Sequence, residues 1–97
     1  MSKKIQNKRQ AKHFAFAWTD IAWEDYLYWQ AEDRKILAEI NHLLEECHRH
    51  PFSGTGKPEP LKGNLTGYWS RRITKEHRLV YFPEDNGIYV IACRWHY

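Results

Sequence analysis

The sequence predicts a single α+β domain: one short strand, two helices, then a twisted antiparallel sheet of about four further strands. Three observations predict it. Large and small apolar residues alternate at Phe14–Trp18, one clean helical stripe runs from Ile36 to Cys47, and short strand-like runs separated by turn residues fill Leu61–Trp95. A chain of 97 residues has room for one such core. With 42% hydrophobic and 15% aromatic residues it is expected to fold rather than stay disordered.

The elements follow in order. Residues 1–13 carry Lys3, Lys4, Lys8, Arg9 and Lys12 without an acid and without a period, and read as a disordered basic arm ahead of a domain at 14–97. After the strand Phe14–Trp18, Thr19 or Asp20 offers a side-chain oxygen to cap a helix over Asp20–Gln30. The Trp and Tyr residues of that segment blur its period. In the second helix Ile36, Leu37, Ile40, Leu43, Leu44 and Cys47 share one face, and Pro51 stops it. The stretch 51–60 holds three prolines and two glycines and reads as a loop. Leu61–Leu65, Tyr68–Ile73, His77–Phe82 and Ile88–Trp95 are predicted strands, broken at Asn64–Gly67, Thr74–Glu76 and Pro83–Gly87.

Charge is unevenly placed. Residues 14–50 hold three basic and eight acidic residues, whereas 51–97 hold seven basic and four acidic ones. A polyanionic partner therefore belongs with the C-terminal half. No apolar run is long enough to span a membrane and no signal-peptide pattern precedes the domain, so a cytoplasmic protein is expected. Cys47 and Cys93 fall in apolar positions and read as buried thiols. His42, Cys47, His48 and His50 match no zinc spacing, Gly54-Thr55-Gly56-Lys57-Pro58 is no phosphate loop, and neither metal nor cofactor is expected.

The basic half supplies the residue types that cut RNA without a metal: a base for the 2′-hydroxyl, an acid for the departing 5′-oxygen, and cations for the charge on phosphorus. Glu59 stands between Pro58 and Pro60, whose fixed φ stiffens its setting. Arg71, Arg72 and Arg78 lie in or beside strands with Lys62 near. Alternation puts Ser70 and Arg72 on one face and Trp69, Arg71 and Ile73 on the other. Interleaved Tyr and Trp are suited to stacking bases. His96 and Tyr97 follow the last strand, and an imidazole exchanges protons near neutrality. Composition alone leaves each a bland alternative: a turn acid, a solvated sheet face, an exposed terminus.

Longer motifs narrow the choice. Trp23-Glu24-Asp25-Tyr26-Leu27-Tyr28-Trp29-Gln30, the block from Gly54 through Lys57-Pro58-Glu59-Pro60-Leu61-Lys62, Trp69-Ser70-Arg71-Arg72-Ile73-Thr74, Glu76-His77-Arg78-Leu79-Val80-Tyr81 and Ala92-Cys93-Arg94-Trp95-His96-Tyr97 occur in that order. Over Phe14–Tyr97 the chain resembles YoeB-type toxins of the RelE superfamily. The resemblance implies a RelE-like, microbial-RNase-like fold and a toxin that cuts messenger RNA in the ribosomal A site. It implies Glu59, Arg78 and His96 as catalytic residues, with Lys62, Arg72 and Tyr97 binding substrate; Arg71, as a strand arginine of the basic half, is expected to bind substrate beside them. It also implies a homodimer and a cognate antitoxin that covers the site. A gyrase-poisoning relative without acid or base, or a purely regulatory corepressor, is the alternative. Trp95, where Tyr is expected, and the basic arm depart from the pattern.

Overall fold

The computed structural model describes residues 16–95; the proposed arm, Phe14, Ala15, His96 and Tyr97 lie outside the described residues. The elements are β1 (Phe16–Trp18), α1 (Asp20–Glu32), α2 (Arg34–Arg49), β2 (Glu59–Pro60), a 3-10 turn at Gly63–Leu65, β3 (Trp69–Arg72), β4 (Arg78–Glu84) and β5 (Gly87–Ala92). They form one five-stranded sheet of order β1-β5-β4-β3-β2. β1 runs parallel to β5 and every other pairing is antiparallel. The expected α+β architecture is therefore present.

Thr19 is the first hinge of the fold. Its Oγ1 accepts from the Ala22 N–H at 3.0 Å, capping α1. The same hydroxyl donates to the Ile91 carbonyl at 2.7 Å, and the Thr19 N–H donates to the Val90 carbonyl at 3.0 Å. That tie falls on a β-bulge. The register steps from Val80↔Ala92 to Tyr81↔Val90, which leaves Ile91 as the extra residue on β5. Asp33 joins the two helices in a single residue. Its N–H donates to the Trp29 carbonyl, closing α1, while its carboxylate accepts from Lys35 and Ile36 N–H, opening α2.

The apolar stripe of α2 is buried as its spacing requires. Ile40, Leu43, Leu44 and Cys47 pack with Ala22 and Trp29 of α1 against Leu79, Tyr81, Ile88 and Val90 of the sheet. Burying each large side chain stabilises the fold by about 1.5–3 kcal/mol. The blurred period of α1 also has its reason. It buries Ala22 and Trp29 yet leaves Ile21, Trp23, Leu27 and Tyr28 exposed, so apolar residues stand on both of its faces. Both helices lie on one side of the sheet, and strand alternation sends Ser70, Arg72, Arg78, Phe82 and Tyr89 to the other.

Two sequence expectations are corrected. Leu61–Leu65 is not a strand: pairing begins earlier, at Glu59–Pro60, and after Leu61 N–H meets the Tyr68 carbonyl the chain turns through Gly63–Leu65. Thr66 Oγ1 donates to the Gly63 carbonyl at 2.6 Å and holds that turn closed. Pro83 and Glu84 belong to β4 rather than to the following break, because Glu84 pairs with Gly87 and the reversal needs only Asp85 and Asn86.

Cys47 and Cys93 are free and wholly buried. Burial pushes their thiols from 9.0 up to about 11 for Cys47 and about 12 for Cys93, where Asp25 adds to the effect. Tyr81 is likewise raised from 10.0 to about 12 by burial. The unfolded thiols lose protons first, so their stabilising effect is complete below pH 9.0 and drains away between 9.0 and about 12. The thermal midpoint should accordingly hold through neutrality and fall once pH exceeds about 9, with a shallower fall in Cys93→Ala. Identical slopes in parent and variant would count against burial of that thiol as the cause.

Candidate active site

The loop between α2 and β2 lacks regular structure, so its backbone needs partners from elsewhere. Arg71 supplies them. It sits on β3 between Trp69 and Ile73, facing the helices, and its exposure is 0%. Nε donates to Tyr81 Oη at 3.1 Å, Nη1 to the Thr55 carbonyl at 3.1 Å, and Nη2 to the carbonyls of Ser53, at 2.9 Å, and His50. Tyr81 Oη in turn donates to the Pro51 carbonyl at 2.7 Å. No salt bridge to Arg71 is present among the described residues. Loop carbonyls, not a carboxylate, solvate this buried charge. Gly56 completes the contact: at φ +80° a Cβ there would stand 2.9 Å from Leu43 Cδ2 and 3.1 Å from the Arg72 carbonyl oxygen.

The clamped loop delivers Lys57 and Glu59 to the open face of the sheet. Lys57 adopts φ +50°, a left-handed conformation that costs a non-glycine residue about 1 kcal/mol or more. Glu59 pairs with Ser70, and two residues on Arg72 pairs directly with Arg78. Lys57, Glu59, Ser70, Arg72 and Arg78 line one hollow of about 100 Å³. Like charges directly opposite on neighbouring strands repel, and an anion between them relieves that repulsion. Arg78 is also aimed by its turn. Its Nη1 donates to the carbonyls of Thr74 at 2.8 Å, His77 at 3.2 Å and Lys75 at 3.3 Å. Its Nε and Nη2 have no partner among the described residues.

The segment that follows β5 is tied to α1 and to the start of β4. Asp25 Oδ2 accepts from the Cys93 N–H at 3.0 Å, and Trp29 Nε1 donates to the Cys93 carbonyl at 2.8 Å, so α1 grips both sides of one residue. Burial raises the Asp25 carboxyl above its ordinary range, against the opposing pulls of the Cys93 N–H and Arg94. Trp95 N–H donates to His77 Nδ1 at 2.8 Å, and the Trp95 carbonyl accepts from Arg78 N–H at 2.7 Å. Trp95, at φ +64°, is the other non-glycine residue in the left-handed region among those described. The peptide group leading to residue 96 is thereby bonded to Arg78.

Of the residues expected from sequence, the structure brings together Glu59, Arg72 and Arg78. His96 and Tyr97 lie outside the described residues. Lys62 is exposed and does not line the hollow. Arg71, expected to bind substrate, is corrected: it points into the core and its guanidinium is occupied by the loop. Sequence reasoning missed Lys57 and Ser70. Alternation already put Ser70 beside Arg72, and that was the available signal for it. Among the described residues no three His, Cys, Asp or Glu side chains converge as metal ligands, and no helix is long and apolar enough to cross a membrane.

Comparison with known proteins places this geometry. Residues 18–97 match the family described as the YoeB-like toxin of bacterial type II toxin-antitoxin systems. The chain is 56% identical over 80 residues to Toxin YoeB of Escherichia coli (strain K12), covering 82% of this chain and 95% of that protein. Among solved structures it is similar to a YoeB dimer from Staphylococcus aureus, with TM-score 0.82 and 48% identity over 88% of this chain and 99% of that one. A YoeB-YefM complex from the same organism gives TM-score 0.80 and 48% identity over 84% and 95%.

The carbonyl clamp predicts which substitution the site tolerates least. Arg71→Lys keeps the charge but loses the planar fork, and should lower the unfolding free energy by about 2–3 kcal/mol. Tyr81→Phe removes one hydroxyl and should cost about 1 kcal/mol. Urea denaturation measures both, and hydrogen exchange of amides 53–57 should quicken in Arg71→Lys before the core opens. Parent-like stability and exchange in Arg71→Lys would show that the loop is held by something else.

Proposed function

The chain belongs to the YoeB-like toxin family of bacterial type II toxin–antitoxin systems, and from that premise we propose that it is an endoribonuclease that cuts messenger RNA in the ribosomal A site and so arrests translation. One observation carries the reading. Two arginines face each other across β3 and β4 with a carboxylate on the adjoining strand, in a hollow that the clamped loop also borders.

In the proposed reaction Glu59 takes the proton of the 2′-hydroxyl, whose oxygen attacks the adjacent phosphorus. The bond from phosphorus to the 5′-oxygen breaks, and His96 protonates that oxygen. The products are a 2′,3′-cyclic phosphate and a 5′-hydroxyl. Arg78 and Arg72 hold the negative charge that grows on the phosphorane. Preorganised donors of this kind are worth about 10²–10³ in rate and each proton transfer about 10²–10⁴. Lys62 and Tyr97 position flanking phosphate or base. No metal or cofactor takes part in a step. The S. aureus dimer and YoeB-YefM complex support two further parts of the proposal. The chain pairs with a second copy, and a cognate antitoxin binds it in the cytoplasm and covers the site.

The test is cleavage on programmed ribosomes, with 5′ ends mapped along the message. Glu59→Ala and His96→Ala should each cut about 10²-fold more slowly or worse than the parent, with translation restored. If both cut at the parent's rate, or if the protein yields gyrase-linked DNA breaks and intact message, the proposal fails.

A further inference from the structure

Beside the arginine hollow lies a second, larger groove that the reaction does not use. Its volume is about 320 Å³, and Lys57 and Arg72 line both spaces, forming the wall between them. The two spaces differ in chemistry. The smaller is lined by charged and hydroxyl side chains. The larger meets Leu43 and Ile73 at its base and Glu39 and His42 at its rim. Glu39 and His42 stand three residues apart on the exposed face of α2, so they project side by side. Among the described residues neither side chain is engaged in a hydrogen bond or an ion pair. Gly56 also lines the groove and packs directly on Leu43, where a Cβ would collide.

A nucleotide has the same division. Its phosphate is anionic, and its base is a flat ring with apolar faces and a polar edge. We propose, resting on the nuclease reading, that this groove is a base-recognition subsite for a nucleotide next to the scissile phosphate, with Glu39 and His42 reading the base edge. Lys57 and Arg72 hold the phosphate at the wall, which offsets the repulsion of Glu39 for RNA. The Glu39 carboxylate accepts hydrogen bonds and cannot donate them. It therefore favours a base bearing an exocyclic amine, and disfavours uracil, whose single N–H lies between two carbonyl oxygens. His42 supplies one donor and one acceptor beside it. The subsite thus selects adenine, cytosine or guanine over uracil.

The experiment has two arms. In the first, the full chain is titrated with 2′-deoxy dinucleotides of adenine and of uracil, which lack the attacking hydroxyl, and backbone amides are followed by NMR. The adenine probe should shift the amides of Glu39, His42 and Gly56 and bind about tenfold tighter than the uracil probe. Glu39→Ala, on an exposed helix face where Ala is well tolerated, should erase that difference. In the second arm, cleavage maps of parent, Glu39→Ala and His42→Ala are compared on one message. The parent should avoid uracil at the position flanking the cut, and Glu39→Ala should lose that bias. Probes that leave these amides unmoved, or a uracil bias unchanged in Glu39→Ala, overturn the subsite while leaving the nuclease reading intact. Selective dinucleotide binding by a chain that cuts no message supports the subsite and overturns the nuclease reading instead.

Discussion

Arg71 is the fixed point of the molecule's working end. A guanidinium without solvent must find acceptors, and here they are the carbonyls of His50, Ser53 and Thr55 together with Tyr81 Oη. The loop has the converse need, because its carbonyls have no helix or sheet to enter. Each requirement meets the other. The result is a loop of glycine and proline whose carbonyls at His50, Pro51, Ser53 and Thr55 are all bonded to core side chains, and on it depend the places of Lys57 and Glu59. Removing Arg71 would leave those of His50, Ser53 and Thr55 without donors in the core as well as a loose pocket.

The pocket itself is an unfavourable arrangement kept in place by its surroundings. Arg72 opposes Arg78 across the ladder, and Lys57 at its margin takes left-handed backbone. Neither feature stabilises the free fold. Both are sustained by ordinary bonds nearby: the three carbonyls that fix Arg78 Nη1, and the Arg71 clamp on the loop that carries Lys57. Local cost met by distant packing is the expected economy of a site prepared for an anionic ligand.

Much of this was legible in the residues, and the exceptions have physical causes. The stripe of α2 fixed its inward face because one period accounts for all six of its apolar positions. α1 was vague because apolar residues stand on both its faces. β2 escaped notice since a two-residue strand that follows one proline and ends in another carries no alternation, and a strand was assigned instead to Leu61–Leu65, where a 3-10 turn forms. That β1 pairs with β5 in parallel could not be read from three residues. At the site, alternation separated Arg72 from Arg71 correctly. What it could not reveal was that the second of these lies in the core, because an arginine on an apolar face looks the same on paper whether it meets water or carbonyls. Lys57 was overlooked for a related reason: its placement comes from a backbone turn and not from any pattern of neighbours.

The short strand β2 has a consequence for how anything large approaches. It is the outermost strand beside the pocket, paired with β3 and flanked by Pro58 and containing Pro60. Two ring nitrogens replace amide hydrogens there, and the Leu61 N–H is already given to Tyr68. That border is sealed against lateral growth, so an extended chain gains no continuous ladder by lying alongside it. Access to the arginines is therefore frontal, down onto the sheet, and the same two rings that stiffen the carboxylate also shut the molecule's side door.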